Sequence, residues 1–134
     1  MTTTGGCLCG AVRYELTGEP MAVAVCHCTH CQRQGGAVFS TNLVLKESDY
    51  VQHGETKVYV DKGDSGQAVY RHFCGECGSP ILSMVAAMAG VAIVKAGTLD
   101  DLSTLGAPVI EVYTDHAASW VPHLAAQRHA QAAG

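Results

Sequence analysis

Apolar residues recur along the chain in short runs set between turn residues: Ala11 to Leu16, Val23 to Cys26, Val38 to Leu45, Lys57 to Val60, Ala68 to Phe73, Ile81 to Val85, Val91 to Thr98 and Val109 to Tyr113. In the first run Val12, Tyr14 and Leu16 alternate with Arg13 and Glu15, the period of a strand with one face buried. This rhythm predicts an all-β fold. Gly54 and Gly63 to Gly66 mark surface turns, and Pro20 and Pro108 mark strand boundaries. The tail after Ser119, with Pro122 early and the alanine-rich Leu124 to Ala133 following, is the one stretch with a helix signature, so a short C-terminal helix is expected there. Trp120 is expected to pack that tail onto the sheets.

The most apolar stretch, Ile81 to Val94, is broken by Ser83 and Gly90 and ends at Lys95. A membrane span needs about twenty apolar residues, so this stretch reads as two buried strands turning near Gly90. The 134 residues suit one domain over 1–134. Met1-Thr-Thr-Thr-Gly-Gly has no basic region leading into an apolar run, which makes the cytoplasm the expected compartment. The formal net charge is −4 with eight Lys and Arg set singly, a distribution that argues against nucleic acid as a partner.

Seven cysteines change the picture, because an odd number in a reducing compartment points to metal or thiol chemistry rather than a disulfide framework. Cys74-Gly-Glu-Cys77-Gly78 has the form of a zinc knuckle, two thiolates three apart with a glycine behind them. Tetrahedral zinc takes four ligands, and Cys7-Leu-Cys9-Gly10 offers the second pair. Cys7, Cys9, Cys74 and Cys77 are therefore expected to form a structural zinc site that closes a long loop. Cys26-His27-Cys28-Thr29-His30-Cys31 leaves three thiolates, the number in a catalytic zinc site with an open position. An extended chain at Cys26 to Cys28 points both sulfurs one way and His27 the other. Three alternatives stay open on spacing alone: His30 or another histidine completes a second structural site, the three cysteines hold no metal, or iron takes the place of zinc. His53, His72, His116, His123 and His129 have no ligand spacing and read as surface or packing residues.

These motifs carry a resemblance. Gly6-Cys7-Leu8-Cys9-Gly10-Ala11-Val12-Arg13-Tyr14, Cys26-His27-Cys28-Thr29-His30-Cys31-Gln32-Arg33 and Phe73-Cys74-Gly75-Glu76-Cys77-Gly78-Ser79-Pro80 resemble the glutathione-dependent formaldehyde-activating enzyme family, which includes centromere protein V. Weaker agreement continues at Ala96 to Asp101 and Ser119 to Val121, while Gly35-Gly36 departs from the family pattern. The resemblance implies bent antiparallel sheets pinned by structural zinc in a zinc-ribbon-like core, two Zn2+ per chain, and a carbon–sulfur lyase activity that joins glutathione to formaldehyde as S-hydroxymethylglutathione.

At the open cluster a thiol substrate would be activated by the metal, and the adduct oxygen must gain a proton, for which a solvent-accessible His27 or His30 is a candidate. Arg33, the nearest basic residue in sequence, is the candidate partner for a glutathione carboxylate. Two readings from other classes compete with the enzyme: a non-catalytic zinc-binding module that meets a partner, and a thiol redox or metal sensor working through Cys26, Cys28 and Cys31.

Overall fold

The computed structural model describes residues 2–132. Three strands, β1 (Thr3–Gly6), β2 (Arg13–Leu16) and β5 (Tyr50–His53), form a small antiparallel sheet in the order β1-β2-β5. The remaining strands form a second sheet of eight. They are β3 (Ala22–Cys26), β4 (Ser40–Lys46), β6 (Lys57–Lys62), β7 (Ala68–Phe73), β8 (Pro80–Val85), β9 (Val91–Lys95), β10 (Ile110–Val112) and β11 (Gln127–Arg128). Their order is β11-β10-β3-β4-β9-β8-β7-β6, antiparallel except that β10 runs parallel to both β3 and β11. The expected all-β architecture is present. Ile81 to Val94 is indeed two strands, with Gly90 in the left-handed conformation at the turn (φ 79°).

The two faces of the large sheet differ in chemistry. Side chains alternate across a strand, so Val23, Leu43, Val94 and Leu82, paired across β3, β4, β9 and β8, share one face. They pack with Tyr14 and Leu16 of the small sheet and with Val12 just before it in one buried cluster. Truncating a fully buried member such as Leu45 to alanine removes about 2–5 kcal/mol in such a core. The opposite face carries Cys26, Ser40, Asn42, Lys95, Ser83, Arg71 and Tyr59, placed there by the same registers. It is therefore the polar face of the sheet.

Two expectations fail. The single α-helix among the described residues, α1 (Thr29–Gly35), begins inside the cysteine stretch, whereas the described part of the tail has no helix; Ala133 lies outside the described residues. Seven residues are too few to show a helical hydrophobic period, so α1 is set by its ends: Cys28 Sγ caps the Cys31 amide at 3.2 Å, and Gly36 closes it at φ 69°. The tail instead gives its amides to β10. Leu124 N and Ala125 N donate to the Glu111 carboxylate at 2.9 and 3.1 Å, and His129 N donates to the Glu111 carbonyl at 2.9 Å. Those donors are thereby lost to a helix. Trp120, in consequence, sits in irregular chain and is 72% exposed rather than packed on a sheet.

Strand β1 has a packing cause that its Thr3-Thr4-Gly5-Gly6 composition does not advertise. Tyr14 faces Gly5 across the pair, and a β-carbon at Gly5 would fall 2.3 Å from the Tyr14 hydroxyl. Glycine there lets the Tyr14 ring lie over β1, stacked on Tyr50 with ring centroids 5.4 Å apart, while its hydroxyl meets Thr98 Oγ1 at 2.7 Å. Arg13 completes the junction through a bidentate pair with Asp100, which draws the Asp100 carboxyl down to about 2.

Candidate metal centres

Two turns far apart in sequence bring Cys7, Cys9, Cys74 and Cys77 together, with all four sulfurs within 4.8 Å of one another. Cys7 and Cys9 sulfurs lie 3.6 Å apart, and Cys9 and Cys74 sulfurs 3.8 Å. Each turn closes on a left-handed glycine, Gly10 at φ 84° and Gly78 at φ 80°. Backbone amides point at the sulfurs: Val12 N to Cys7 at 3.2 Å and Glu76 N to Cys74 at 3.4 Å. Ser79 bridges the halves by accepting from Leu8 N at 3.1 Å and meeting Cys77 Sγ at 3.2 Å. Hydrogen bonds from the Ser79 side chain and backbone hold the Cys77 thiol down at about 5. Four thiolates with amide support fit a tetrahedral zinc ion.

Cys26, at the end of β3, and Cys28 and Cys31, at the start of α1, form the second group, again within 4.8 Å. The Cys26 and Cys28 sulfurs hold the Cys31 thiol far below its ordinary value, and Cys28 and Cys31 push Cys26 up. Three sulfurs this close cannot all ionise without a cation among them, so the donor set fits a soft divalent metal such as zinc. No fourth cysteine stands here.

The surroundings separate this cluster from the first. Arg71 is 6% exposed; its Nη1 lies 4.0 Å from Cys31 Sγ, and its Nε donates to Asp61 Oδ2 at 2.8 Å. His30, half-exposed on α1, holds the same Asp61 oxygen through Nδ1 at 2.7 Å, and the two partners draw the Asp61 carboxyl down to about 2 against its own desolvation. Lys95 is 9% exposed and donates to Asn42 Oδ1 at 3.3 Å. Thr29, His30, Arg33, Gln34, Tyr59, Asp61 and Arg71 line a cleft of about 420 Å³ beside the cluster. Arg33 lies on its exposed rim.

His27 takes a different place from the one expected. It is fully buried, on the core side of the sheet, with Nε2 2.9 Å from Glu111 Oε1. Chain alternation that turns Cys26 and Cys28 toward Cys31 turns His27 into the interior, so His27 has no solvent access and is not a proton donor to a ligand at the sulfurs. Glu111 is the hub behind the motif. One oxygen meets His27, and the other accepts from Leu124 N, Ala125 N and Arg128 Nε, the last at 2.9 Å. These bonds overcome burial and hold its carboxyl down at about 2.

Sequence reading missed Arg71, Asp61, Lys95, Glu111 and Tyr113. Arg71 and Lys95 had a weak signal: each is a charged residue within a strand run, Arg71 inside Ala68 to Phe73 and Lys95 closing Val91 to Val94, and the structure buries both. Tyr113 had none. It follows the β10 residue paired with Cys26, adopts a left-handed backbone (φ 57°), and donates its hydroxyl to Asp64 at 2.7 Å. Among the described residues the other five histidines stand outside both clusters, as expected from their spacing.

Comparison with known proteins agrees with this geometry. The family model described as "Glutathione-dependent formaldehyde-activating enzyme" matches residues 2–116. The chain is similar to the crystal structure of a Rhodobacter sphaeroides protein, a structural-genomics target, with a TM-score of 0.59 and 21% identity over 77% of this chain and 94% of that one. That likeness concerns the fold. No curated protein matches. No helix among the described residues is long and apolar enough to cross a membrane.

Proposed function

The chain belongs to the glutathione-dependent formaldehyde-activating enzyme family, and from that premise we propose that it is a zinc-dependent carbon–sulfur lyase of the S-hydroxymethylglutathione synthase type, joining glutathione or another small thiol to formaldehyde or a related aldehyde. In this reading residues 1–134 are one domain with two zinc ions, a structural one on Cys7, Cys9, Cys74 and Cys77 and a catalytic one on Cys26, Cys28 and Cys31. The observation that carries it is the asymmetry between the clusters: three sulfurs, not four, open beside a cleft with a paired histidine and buried cations.

Zinc bound to the three thiolates would supply Lewis acidity that lowers the pKa of a thiol entering its remaining position. The chain's own residues do the rest. The cleft holds the thiol substrate beside the sulfurs, so that formaldehyde meets a nucleophile already placed. Arg33 on the rim, without an ion-pair partner among the described residues, receives a substrate carboxylate. His30, fixed through Nδ1 by Asp61, presents Nε2 as the group that returns a proton to the adduct oxygen. The substrates are small molecules rather than nucleic acid, and a thiolate-rich site fits the reducing cytoplasm.

The test measures zinc content, glutathione binding by calorimetry and S-hydroxymethylglutathione formation in the wild type and in Cys28→Ser. Two zinc ions, one lost with both binding and activity in the variant, support the reading. Two tightly held zinc ions with neither thiol binding nor product formation would leave a zinc-binding module that meets another partner.

A further inference from the structure

Burial of a cation is costly unless a counter-charge or a full set of acceptors accompanies it. Arg71 and Lys95 are both buried on the polar face of the large sheet, yet among the described residues only one carboxylate, Asp61, reaches either of them. Lys95 has three N–H donors and one neutral acceptor, Asn42 Oδ1. Arg71 commits Nε to Asp61 and turns Nη1 toward Cys31. Beside them, Ser83 pairs with Arg71 across β7 and β8; its hydroxyl is buried, in a residue 4% exposed, and has no partner among the described residues. Lys95 pairs with Asn42, whose Nδ2 donates to Ser40 Oγ at 3.0 Å, and Ser40 pairs with Cys26, which places Lys95 on the same face of the sheet as the open cluster.

The charges explain what the pair is for. Three thiolates around a divalent zinc leave one negative charge, which together with Asp61 balances the two cations. A substrate thiolate then brings one further negative charge, and addition to a carbonyl moves it from sulfur to oxygen. We infer that Lys95 and Arg71, with the Ser83 hydroxyl, form an oxyanion subsite beside Cys26, Cys28 and Cys31 that holds the oxygen of a small carbonyl substrate as the thiol adds. This rests on the reading of the open cluster given above. In the step, the thiol loses its proton to water, its sulfur lone pair forms the C–S bond, and the C=O π pair moves onto oxygen. That oxygen accepts hydrogen bonds from Lys95 and Arg71 and then takes a proton from water through His30. Thiol and aldehyde give the hydroxymethyl thioether with no redox change.

Formate, a one-carbon anion with the charge already on oxygen, is the probe. In the zinc-loaded wild type, formate titration is expected to shift the ε-carbon NMR resonance of the buried lysine, assigned by its absence in Lys95→Arg. An unmoved resonance overturns the subsite without recourse to any neutral variant. Lys95→Met is expected to keep two zinc ions and glutathione affinity within about threefold, to bind formate at least about tenfold more weakly, and to lose about 10²-fold in kcat, with partial recovery in Lys95→Arg. Unchanged formate affinity in Lys95→Met, or loss of zinc from the open cluster there, would mean that Lys95 only balances the thiolates. Lysine-dependent formate binding in a wild type that forms no S-hydroxymethylglutathione leaves the subsite standing and removes the lyase reading. Catalysis at undiminished kcat in Lys95→Met does the reverse.

Discussion

The two cysteine clusters use similar atoms for different ends. The first draws four sulfurs from two turns, one in each sheet, and surrounds them with backbone amides and one serine. The second draws three sulfurs from six consecutive residues and surrounds them with Arg71, Lys95, the His30–Asp61 pair and a cleft. A site whose ligands come from afar restrains the fold; one whose ligands are local restrains little and leaves its neighbours for chemistry. Charge follows the same division, since neutral amides suffice where nothing enters, and buried cations appear where a further anion is to be received.

The sharpest way to break this comparison is to remove one sulfur from each cluster. Cys74→Ser is expected to abolish the cooperative fold, because metal affinity at a structural site is folding free energy, on the order of 10 kcal/mol for small zinc domains. Circular dichroism and a thermal melt would show it. Cys28→Ser is expected to keep the β spectrum and lose one zinc ion, with activity down at least about 10³-fold. If the two variants melted alike, the division into structural and open sites would be wrong.

A smaller effect separates the back of the open cluster from the closed one. Glu111 has a folded pKa of about 2 against an ordinary 4.5, so it contributes stability that is present above the unfolded value and lost as pH falls from about 5 towards 2. The contribution is on the order of 3 kcal/mol. Denaturant melts of wild type and Glu111→Gln are expected to differ by that order at pH 7 and to converge only as the pH is lowered toward 2. A gap that stays constant would show that Glu111 acts by shape rather than charge. Cys74 and Cys77 lie outside its reach, so zinc retention at the closed site is expected to be the same in both proteins.

Much of this division was legible in the sequence because ligand chemistry is local. Cys74 and Cys77 announce a knuckle by spacing and by Gly78, and the alternation of Tyr14 and Leu16 with Arg13 and Glu15 is a period-two signal that the burial of β2 matches. What sequence did not reveal depends on register. His27 was a candidate donor by its titration range; the pairing of Val25 with Glu111 and the contact of Glu111 with His27 show that the side it faces is buried. Arg71 and Lys95 come to the open cluster through four strand pairings that no local pattern encodes. The tail looked helical by composition, and Glu111, thirteen residues before Leu124, took its amides instead.

Within the open site the comparison can be sharpened once more, by asking which cleft residue acts on binding and which on the chemical step. His30 touches no sulfur in the structure and is tied to Asp61, so His30→Asn is expected to leave glutathione affinity and zinc content unchanged and lower kcat by about 10²-fold, the span typical of a positioned proton donor. Arg33 lies at the rim, where solvent screens its charge, and its effect is the smallest. Arg33→Ala is expected to raise KM for glutathione about tenfold, or about 1.4 kcal/mol, with kcat preserved. The KM effect should shrink in high salt and be absent for a thiol with no carboxylate, such as 2-mercaptoethanol. An equal loss for both thiols would remove Arg33 from carboxylate recognition and make it a support of α1, in which case the distinction between rim and floor in this cleft falls with it.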